Sequence, residues 1–263
     1  MNDNIKIIGL TGKARSGKDT AARFIKDWVL ERNDLVPHEE SWVVGIESFA
    51  APIKHMVAQL LDFFGLGSIT VPGSLEPYID GDLKEVFIPE IGASPRTMMQ
   101  TLGTEWGRNI DPNIWINCMQ ARIKQSDEIP KHGYKGAVII IPDVRFDNEA
   151  QFIHEVGGKI IEIDRNSVPE VVGASPHESE AGIDVRHLDG AVWNNDTLEH
   201  YNVKVLYMVN SLALVPPWPN EEEIQRMFQQ HDYQLEEDFP INYIEFSTEE
   251  PQELHDDLRK LQA

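Results

Sequence analysis

The residues best suited to do chemistry lie in one short stretch near the N-terminus, "GLTGKARSGKDTAARF" at positions 9–24. Four residues separate Gly12 from the Gly17–Lys18 pair, which is the spacing of a Walker A phosphate-binding loop. Glycines let backbone N–H groups of such a loop turn toward phosphate oxygens, and the following helix N-terminus adds partial positive charge. The spacing therefore predicts a nucleotide-phosphate site built from Gly12, Lys13, Ala14, Arg15, Ser16, Gly17 and Lys18.

One position of the loop departs from the usual pattern, because Asp19 stands where a serine or threonine normally holds Mg²⁺. Phosphates repel a free carboxylate, but a carboxylate is also a good Mg²⁺ ligand. Thr20 supplies the missing hydroxyl one residue later, and Arg15 adds a second cation beside Lys18. We therefore expect ATP with Mg²⁺ here, with Asp19 and Thr20 as metal ligands. The alternatives are a decayed site and a glycine-rich turn that binds nothing.

Phosphoryl transfer also needs a second anion pocket for the acceptor, and two stretches could form it. Lys54 lies in the first turn of a predicted helix, where its ammonium and the helix dipole could act together on a phosphate. In the predicted helix 94–110, Arg96, Gln100 and Thr104 recur every four residues along one side. Arg96 could bind a phosphate and Gln100 a base edge. The alternative is a solvated lysine and an ordinary polar helix face.

A third stretch, "IIIPDVRFDNE" at 139–149, follows a continuous apolar run that predicts a buried central strand. Asp143 then lies at the carboxyl edge of the sheet, where open α/β folds bind their ligands. It could orient Mg²⁺, and Arg145 could neutralise charge on a transferred phosphoryl group. The alternative is a helix cap with surface ion pairs. Further on, Arg165 follows another strand, and residues 165–185 could fold over the nucleotide as a lid.

Short apolar runs alternate with amphipathic stretches, which is typical of βα units around a mainly parallel sheet. The predicted strands are 5–10, 42–46, 136–141, 159–163 and 190–194. Helices are predicted after the glycine loop, from Pro52, over 94–110, before Gly157 and over 196–212. The Gly- and Pro-rich segment 65–93 shows little periodicity, so we interpret it as a mobile or substrate-covering insertion.

Bulk composition limits the class of protein. A formal net charge of −21 over 263 residues opposes binding to nucleic-acid polymers or anionic membranes. Cys118 is the only cysteine, and no long apolar segment suggests a signal peptide or membrane span, so we expect a soluble cytoplasmic protein. Residues 216–263 carry 13 Asp or Glu against three basic residues, which predicts an acidic C-terminal extension.

The motifs "GKARSGKDTAA", "FAAPIK", "RTMMQTLGTEWGR", "IIIPDVRFDNEAQFIHEVGGKIIEIDR", "HESEAG" and "NNDTLEH" resemble, in order, the deoxynucleoside monophosphate kinases of tailed bacteriophages. The resemblance covers roughly residues 5–206. It implies a P-loop NTPase fold of three α/β/α layers, and transfer of the γ-phosphoryl of ATP to a deoxynucleoside monophosphate (dNMP). It also implies a kinase domain at 1–210 and an extension at 211–263, the latter without a counterpart in the family.

The residue patterns and the resemblance together assign roles to individual residues. From the patterns, Lys18, Arg15, Asp143 and Arg145 would be catalytic, and Arg165 would join the loop in binding ATP. The acceptor would contact Lys54, Lys84, Arg96, Gln100, Thr101, Thr104 and Trp115. Lys84 is the only basic candidate in the insertion for an arginine that contacts substrate in relatives, and the insertion is shorter than theirs. A homodimer, a kinase of another small phosphoacceptor, and an idle nucleotide-binding protein whose acidic tail engages a partner stay open as alternatives.

Overall fold

Five parallel strands form the centre of the molecule, in the order β2-β3-β1-β4-β5. The computed structural model describes residues 4–126, 129–166, 182–212 and 214. The strands are β1 Ile5–Thr11, β2 Trp42–Ile46, β3 Gly136–Ile141, β4 Lys159–Asp164 and β5 Gly190–Trp193. Each predicted strand is confirmed to within one residue at either end.

Seven α-helices are found in the described part of the chain, and most of them cover the two faces of the sheet. They are α1 Lys18–Asn33, α2 Ala51–Phe63, α3 Glu76–Ile79, α4 Pro95–Gln100, α5 Ile114–Ser126, α6 Asp147–Glu155 and α7 Leu198–Ser211. None of the helices described is long and apolar enough to cross a membrane. The sequence analysis predicts no helix over 112–126, so α5 is found only in the structure.

Consecutive residues of the central strands point to opposite faces, which explains why these strands are apolar throughout. Ile8 of β1 packs in the core with α1 and α7, whereas its neighbour Ile7 packs in the core with α2, α5 and α6. All six residues of β3 are buried. This arrangement confirms the predicted three-layer α/β/α fold with a parallel sheet.

The predicted helix over 94–110 is real but changes type along its length. Ser94 caps it as expected, since its hydroxyl accepts a hydrogen bond from the Thr97 N–H at 3.2 Å. After α4 the segment Thr101–Arg108 is a π-helix, whose hydrogen bonds run from residue i to i+5. The four-residue repeat that placed Thr104 in line with Arg96 and Gln100 therefore stops at Gln100.

The insertion 65–93 has a small core that joins it to α2 and α4. Leu75, Ile79 and Ile88 are buried there against Val57 and Leu61 of α2 and Met98 of α4. The segment contains α3 and a short 3-10 turn over 82–85. Of the predicted extension 211–263, only 211, 212 and 214 lie among the described residues, and Leu214 is buried in the core with α1.

Candidate functional site

The predicted phosphate loop connects β1 to α1 and is fixed by two glycines. Gly12 and Gly17 have φ angles of 130° and 110°, and Arg15 between them has a φ of 65°. A Cβ on Gly12 would stand 2.1 Å from the Ile163 carbonyl oxygen, and one on Gly17 would stand 2.4 Å from the Asn194 amide nitrogen. Both glycines are therefore required by backbone geometry and by close packing.

Lys18 lies over the loop at the start of α1. Its ammonium donates hydrogen bonds to the carbonyl oxygens of Gly12 at 2.7 Å and Lys13 at 2.6 Å. Burial, with the Arg145 guanidinium second, lowers the pKa of Lys18 to about 8, against the opposing effect of Asp19 and Asp143. The predicted catalytic residues Asp143 and Arg145, more than 120 positions away in the sequence, therefore act electrostatically on this ammonium.

The loop also presents donors that need an acceptor. The Ser16 hydroxyl is fully buried and has no hydrogen-bond partner within the described residues. The first N–H groups of α1 have no partner inside their own helix. A buried hydroxyl, a helix N-terminus and an ammonium at one loop fit a polyphosphate, whose oxygens accept hydrogen bonds.

Two residues that the sequence reasoning missed hold this loop from the other side. Asn194, just after β5, donates its side-chain N–H to the Ser16 carbonyl at 2.8 Å. Tyr201 of α7 is fully buried and donates its hydroxyl to the Gly17 carbonyl at 3.0 Å. The signal in the sequence was the position of "NNDTLEH" after a strand, at the sheet edge where ligands bind.

A cavity of about 480 Å³ opens beside the loop. It is lined by Arg15, Gly17, Lys18, Asp19, Thr20, Arg23, Arg165, Asn194, Asp196, Leu198 and Tyr201. The predicted ATP contact Arg165 thus shares this space with the loop. Most of the predicted lid lies at 167–181, outside the described residues.

Asp143 lies just after the end of β3, as predicted, and its carboxylate also accepts three hydrogen bonds. Its carboxylate accepts from the Ser48 hydroxyl at 2.6 Å, the Phe49 N–H at 3.1 Å and the Ala50 N–H at 3.0 Å. These three residues form the turn before α2. Asp143 therefore fixes the start of the helix that carries Lys54, in addition to its electrostatic effect on Lys18.

Arg145 is held in place by a buried carboxylate that the sequence reasoning missed. Glu149, 3% exposed, accepts from the backbone N–H groups of Arg145 at 2.9 Å and Phe146 at 3.2 Å. Its other oxygen accepts from Arg108 of the π-helix at 2.5 Å, and that guanidinium also covers the Phe146 ring. Burial raises the pKa of Glu149 to about 7, while the hydrogen bonds from the Arg145 and Phe146 N–H groups and the Arg108 charge act against that rise.

We expect Glu149→Gln to destabilise the protein by about 3 kcal/mol, because the amide has one acceptor oxygen and cannot accept from both the Arg145 N–H and the Arg108 guanidinium, which leaves a buried donor without a partner. A loss of this size corresponds to a Tm lower by about 10 °C in a domain of this length. Thermal unfolding by circular dichroism measures it. Glu155→Gln is the matched control on the same helix, because Glu155 is exposed. Equal Tm values for the two variants would contradict the role given to Glu149.

Lys54, Lys84 and Arg96 form a second cationic group around the insertion, the first being Arg15 and Lys18 of the phosphate loop. Lys54 makes an ion pair with both oxygens of Asp80, at 2.7 and 2.9 Å, and Lys84 stands 3.6 Å from the same carboxylate. Arg96 pairs with Glu85. Burial lowers the pKa of Lys84, and the charges of Lys54, Arg96 and Arg145 act in the same direction against Asp80. Arg145 therefore acts electrostatically on Lys18 of the first group and on Lys84 of the second.

The remaining predicted acceptor residues are on α4, the π-helix and α5. Gln100 and Thr104 are half-buried and Thr101 is exposed. Trp115 is only 4% exposed, and its indole N–H donates to the Gly103 carbonyl at 2.8 Å. A Cβ on Gly107 would stand 2.2 Å from its ring. The structure therefore places Trp115 in the core behind the π-helix, as a support rather than part of an open surface.

For the metal, the residues described contain no cluster of three His, Cys, Asp or Glu side chains. Mg²⁺ in phosphate sites is held by one or two protein oxygens, with phosphate oxygens and waters completing the shell. Asp19 and Thr20 provide such oxygens at the start of α1, and both line the cavity beside the loop. The donor set fits a nucleotide-bound Mg²⁺ and not a cation held by protein alone.

The family described as deoxynucleotide monophosphate kinase matches residues 83–205. A relative from Acanthamoeba polyphaga mimivirus that carries this family name is 31% identical over 214 residues, covering 79% of this chain and 97% of its own. The deoxynucleoside-5'-monophosphate kinase of Escherichia phage T5 is 28% identical over 254 residues, covering 74% and 94%. The deoxynucleotide monophosphate kinase of Enterobacteria phage T4 is 25% identical over 242 residues, covering 76% and 97%.

These relatives are matched over nearly their whole length, and the family match at 83–205 includes Lys84, Arg96, Asp143 and Arg145. The phosphate loop, the parallel sheet and the Asp143–Arg145 edge provide the corresponding structural features. The chain therefore belongs to the deoxynucleotide monophosphate kinase family.

Proposed function

We propose that the protein transfers the γ-phosphoryl group of ATP to a deoxynucleoside monophosphate, releasing ADP and the diphosphate. The observation that carries this proposal is the phosphate loop, where the Lys18 ammonium donates to the Gly12 and Lys13 carbonyls and the buried Ser16 hydroxyl has no partner among the described residues. Arg145 connects this loop to the second cationic group. Its guanidinium acts electrostatically on Lys18 in the phosphate loop and on Lys84 in the second cationic group. A phosphoryl group that passes between two anion sites needs a cation near both.

On the donor side, Lys18, Arg15 and the loop N–H groups would bind the ATP phosphates, and Arg165 lines the same cavity. Asp19 and Thr20 would hold Mg²⁺, with Asp143 nearby at the sheet edge. When bound, Mg²⁺ supplies positive charge against the β- and γ-phosphate oxygens. The buried Ser16 hydroxyl adds one more donor to this side of the site.

On the acceptor side, the phosphate of the monophosphate would bind among Lys54, Lys84 and Arg96. Lys54 is well placed because it stands in the first turn of α2, whose N-terminus is fixed by Asp143. Gln100, Thr101 and Thr104 would face the nucleoside, with the π-helix supported from behind by Trp115. We propose that the insertion 65–93 covers this part of the site.

The chemistry requires no covalent intermediate with the protein. An oxygen of the acceptor phosphate forms a bond to the γ-phosphorus of ATP as the bond to the leaving ADP oxygen breaks. The protein contributes position and charge: Lys18 on the donor phosphates, Lys54 on the acceptor, and Arg145 on the group in transit. Holding both nucleotides in line replaces a bimolecular encounter by a bound geometry.

The test is a panel of all dNMPs and NMPs incubated with ATP and Mg²⁺, with product formation followed by ADP release. We expect conversion of one or more dNMPs by the full-length protein and by a version that ends at Leu214, since the latter keeps every residue assigned a role. Absence of ATP-dependent conversion of any dNMP would contradict the proposal. Conversion of a different phosphoacceptor alone would identify another kinase specificity. We place this activity in the cytoplasm of the host cell.

A further inference from the structure

The second cationic group already contains an anion supplied by the protein itself. Both oxygens of the Asp80 carboxylate lie within 3 Å of the Lys54 ammonium, and one of them is 3.6 Å from the Lys84 ammonium. One carboxylate thus bridges two lysines. A phosphate oxygen bound by the same two ammonium groups would occupy the same space.

The charges of this group favour a ligand that carries more than one negative charge. Lys54, Lys84 and Arg96 carry three positive charges, and Arg145, which acts on Lys84, adds a fourth. Asp80 and Glu85 carry two negative charges. A phosphate monoester at neutral pH carries close to two negative charges and three acceptor oxygens. It can therefore replace a single carboxylate with a gain in charge balance and in hydrogen bonds.

Asp80 is held at this position by the local fold. It follows α3, and its N–H and that of Gly81 donate to the Glu76 carbonyl, each at 3.0 Å. A Cβ on Gly81 would stand 2.8 Å from the Pro77 Cα, so the turn is tight. Ile79, the preceding residue, is anchored in the small core with α2. The carboxylate is nevertheless 39% exposed, so it can leave the lysines without disturbing that core.

We propose that Asp80 is an internal occupant of the acceptor-phosphate site, which the phosphate of the substrate must displace in order to bind. The proposal rests on the proposed function for the identity of the acceptor. Asp80 then sets the affinity of the site, because only the fraction of molecules with a released carboxylate can bind an anion. Anions that make no contact beyond their charge are kept out, whereas a nucleotide gains further contacts from its sugar and base.

The experiment compares wild type with Asp80→Asn and Asp80→Ser in calorimetric titrations with inorganic phosphate and with each converted dNMP at low ionic strength. Both variants should bind inorganic phosphate and dNMP roughly fivefold more tightly, the effect of removing a partly exposed ion pair. In turnover assays the KM for dNMP should fall by the same factor, while the KM for ATP stays unchanged. Asp82→Asn is the matched control, because it removes an exposed negative charge two residues away.

Unchanged or weaker phosphate binding in the Asp80 variants would overturn the proposal, as would an equal gain in Asp82→Asn, which indicates a general charge effect. Wild type offers a second measurement. Saturating inorganic phosphate should change the ¹³C chemical shift of the Asp80 carboxylate but not that of Asp82, and an unchanged Asp80 signal would also contradict displacement. Phosphate binding needs no turnover, so failure of the proposed function leaves this result interpretable by itself.

Discussion

Replacing Lys18 by methionine is expected to lower kcat/KM for dNMP phosphorylation by about a thousandfold. The ammonium is bonded to two carbonyl oxygens of its own loop, so it is already placed where the phosphates of ATP would bind. Methionine keeps the length and the apolar stem of the side chain but provides no charge. Steady-state rates with varied ATP and varied dNMP measure the loss.

Lys26→Met is the matched control for this change. Lys26 lies two turns further along α1 and is not part of the cavity beside the loop. Its replacement should change kcat/KM by less than twofold. Binding of dNMP alone should survive in Lys18→Met, because the acceptor contacts come from α2, α4 and the insertion. Full activity of Lys18→Met would contradict the donor site, whereas a wild-type protein that turns over no dNMP would favour the idle nucleotide-binding alternative.

The strands and the phosphate loop could be predicted from the sequence because their causes are local. Continuous apolar runs such as 136–141 are buried on both faces, and glycines at fixed spacing meet the backbone angles that the loop requires. The Ser94 cap followed by Pro95 was equally visible, since both act within one helical turn. Features that depend on neighbouring residues leave a pattern in the sequence.

The missed features depend on partners that are distant along the chain. Asp143 binds Ser48, 95 positions away, and Asn194 binds the Ser16 carbonyl across 178 positions. No periodicity encodes such pairs, because they arise only when strands β1, β2, β3 and β5 end at one edge of the sheet. The insertion lacked periodicity for a related reason, since its small core is completed by α2 and α4.

The π-helix escaped prediction for a different reason. A change from i+4 to i+5 hydrogen bonds leaves the apolar spacing nearly unchanged over one or two turns. The π-helix packs on Trp115: the Gly103 carbonyl accepts the indole N–H, and a Cβ on Gly107 would stand 2.2 Å from the ring. The sequence analysis places Trp115 among the acceptor contacts, and the structure places it directly behind the π-helix that carries Thr101 and Thr104. Its burial depends on Gly103 and Gly107 of that helix.

Replacing Arg145 by lysine is expected to lower kcat by about 300-fold, which is about 3.4 kcal/mol of transition-state stabilisation. Lysine retains the positive charge but not the planar fork that can bind two oxygens at once. The fold should be preserved, because Arg145 binds Glu149 through its backbone N–H, which lysine also has. Single-turnover rates with both nucleotides saturating measure the chemical step separately from binding.

Whether Arg145→Lys changes kcat or KM shows whether Arg145 acts on the transition state or on substrate binding. A guanidinium that acts on the group in transit stabilises the transition state more than either bound nucleotide, so kcat should fall while each KM changes by less than about threefold. Arg186→Lys is the control, because Arg186 is exposed and pairs with Asp184 away from both cationic groups. If Arg145→Lys raises the KM for dNMP and leaves kcat unchanged, Arg145 belongs to acceptor binding alone, and the site must stabilise the moving phosphoryl group with Lys18 and the metal.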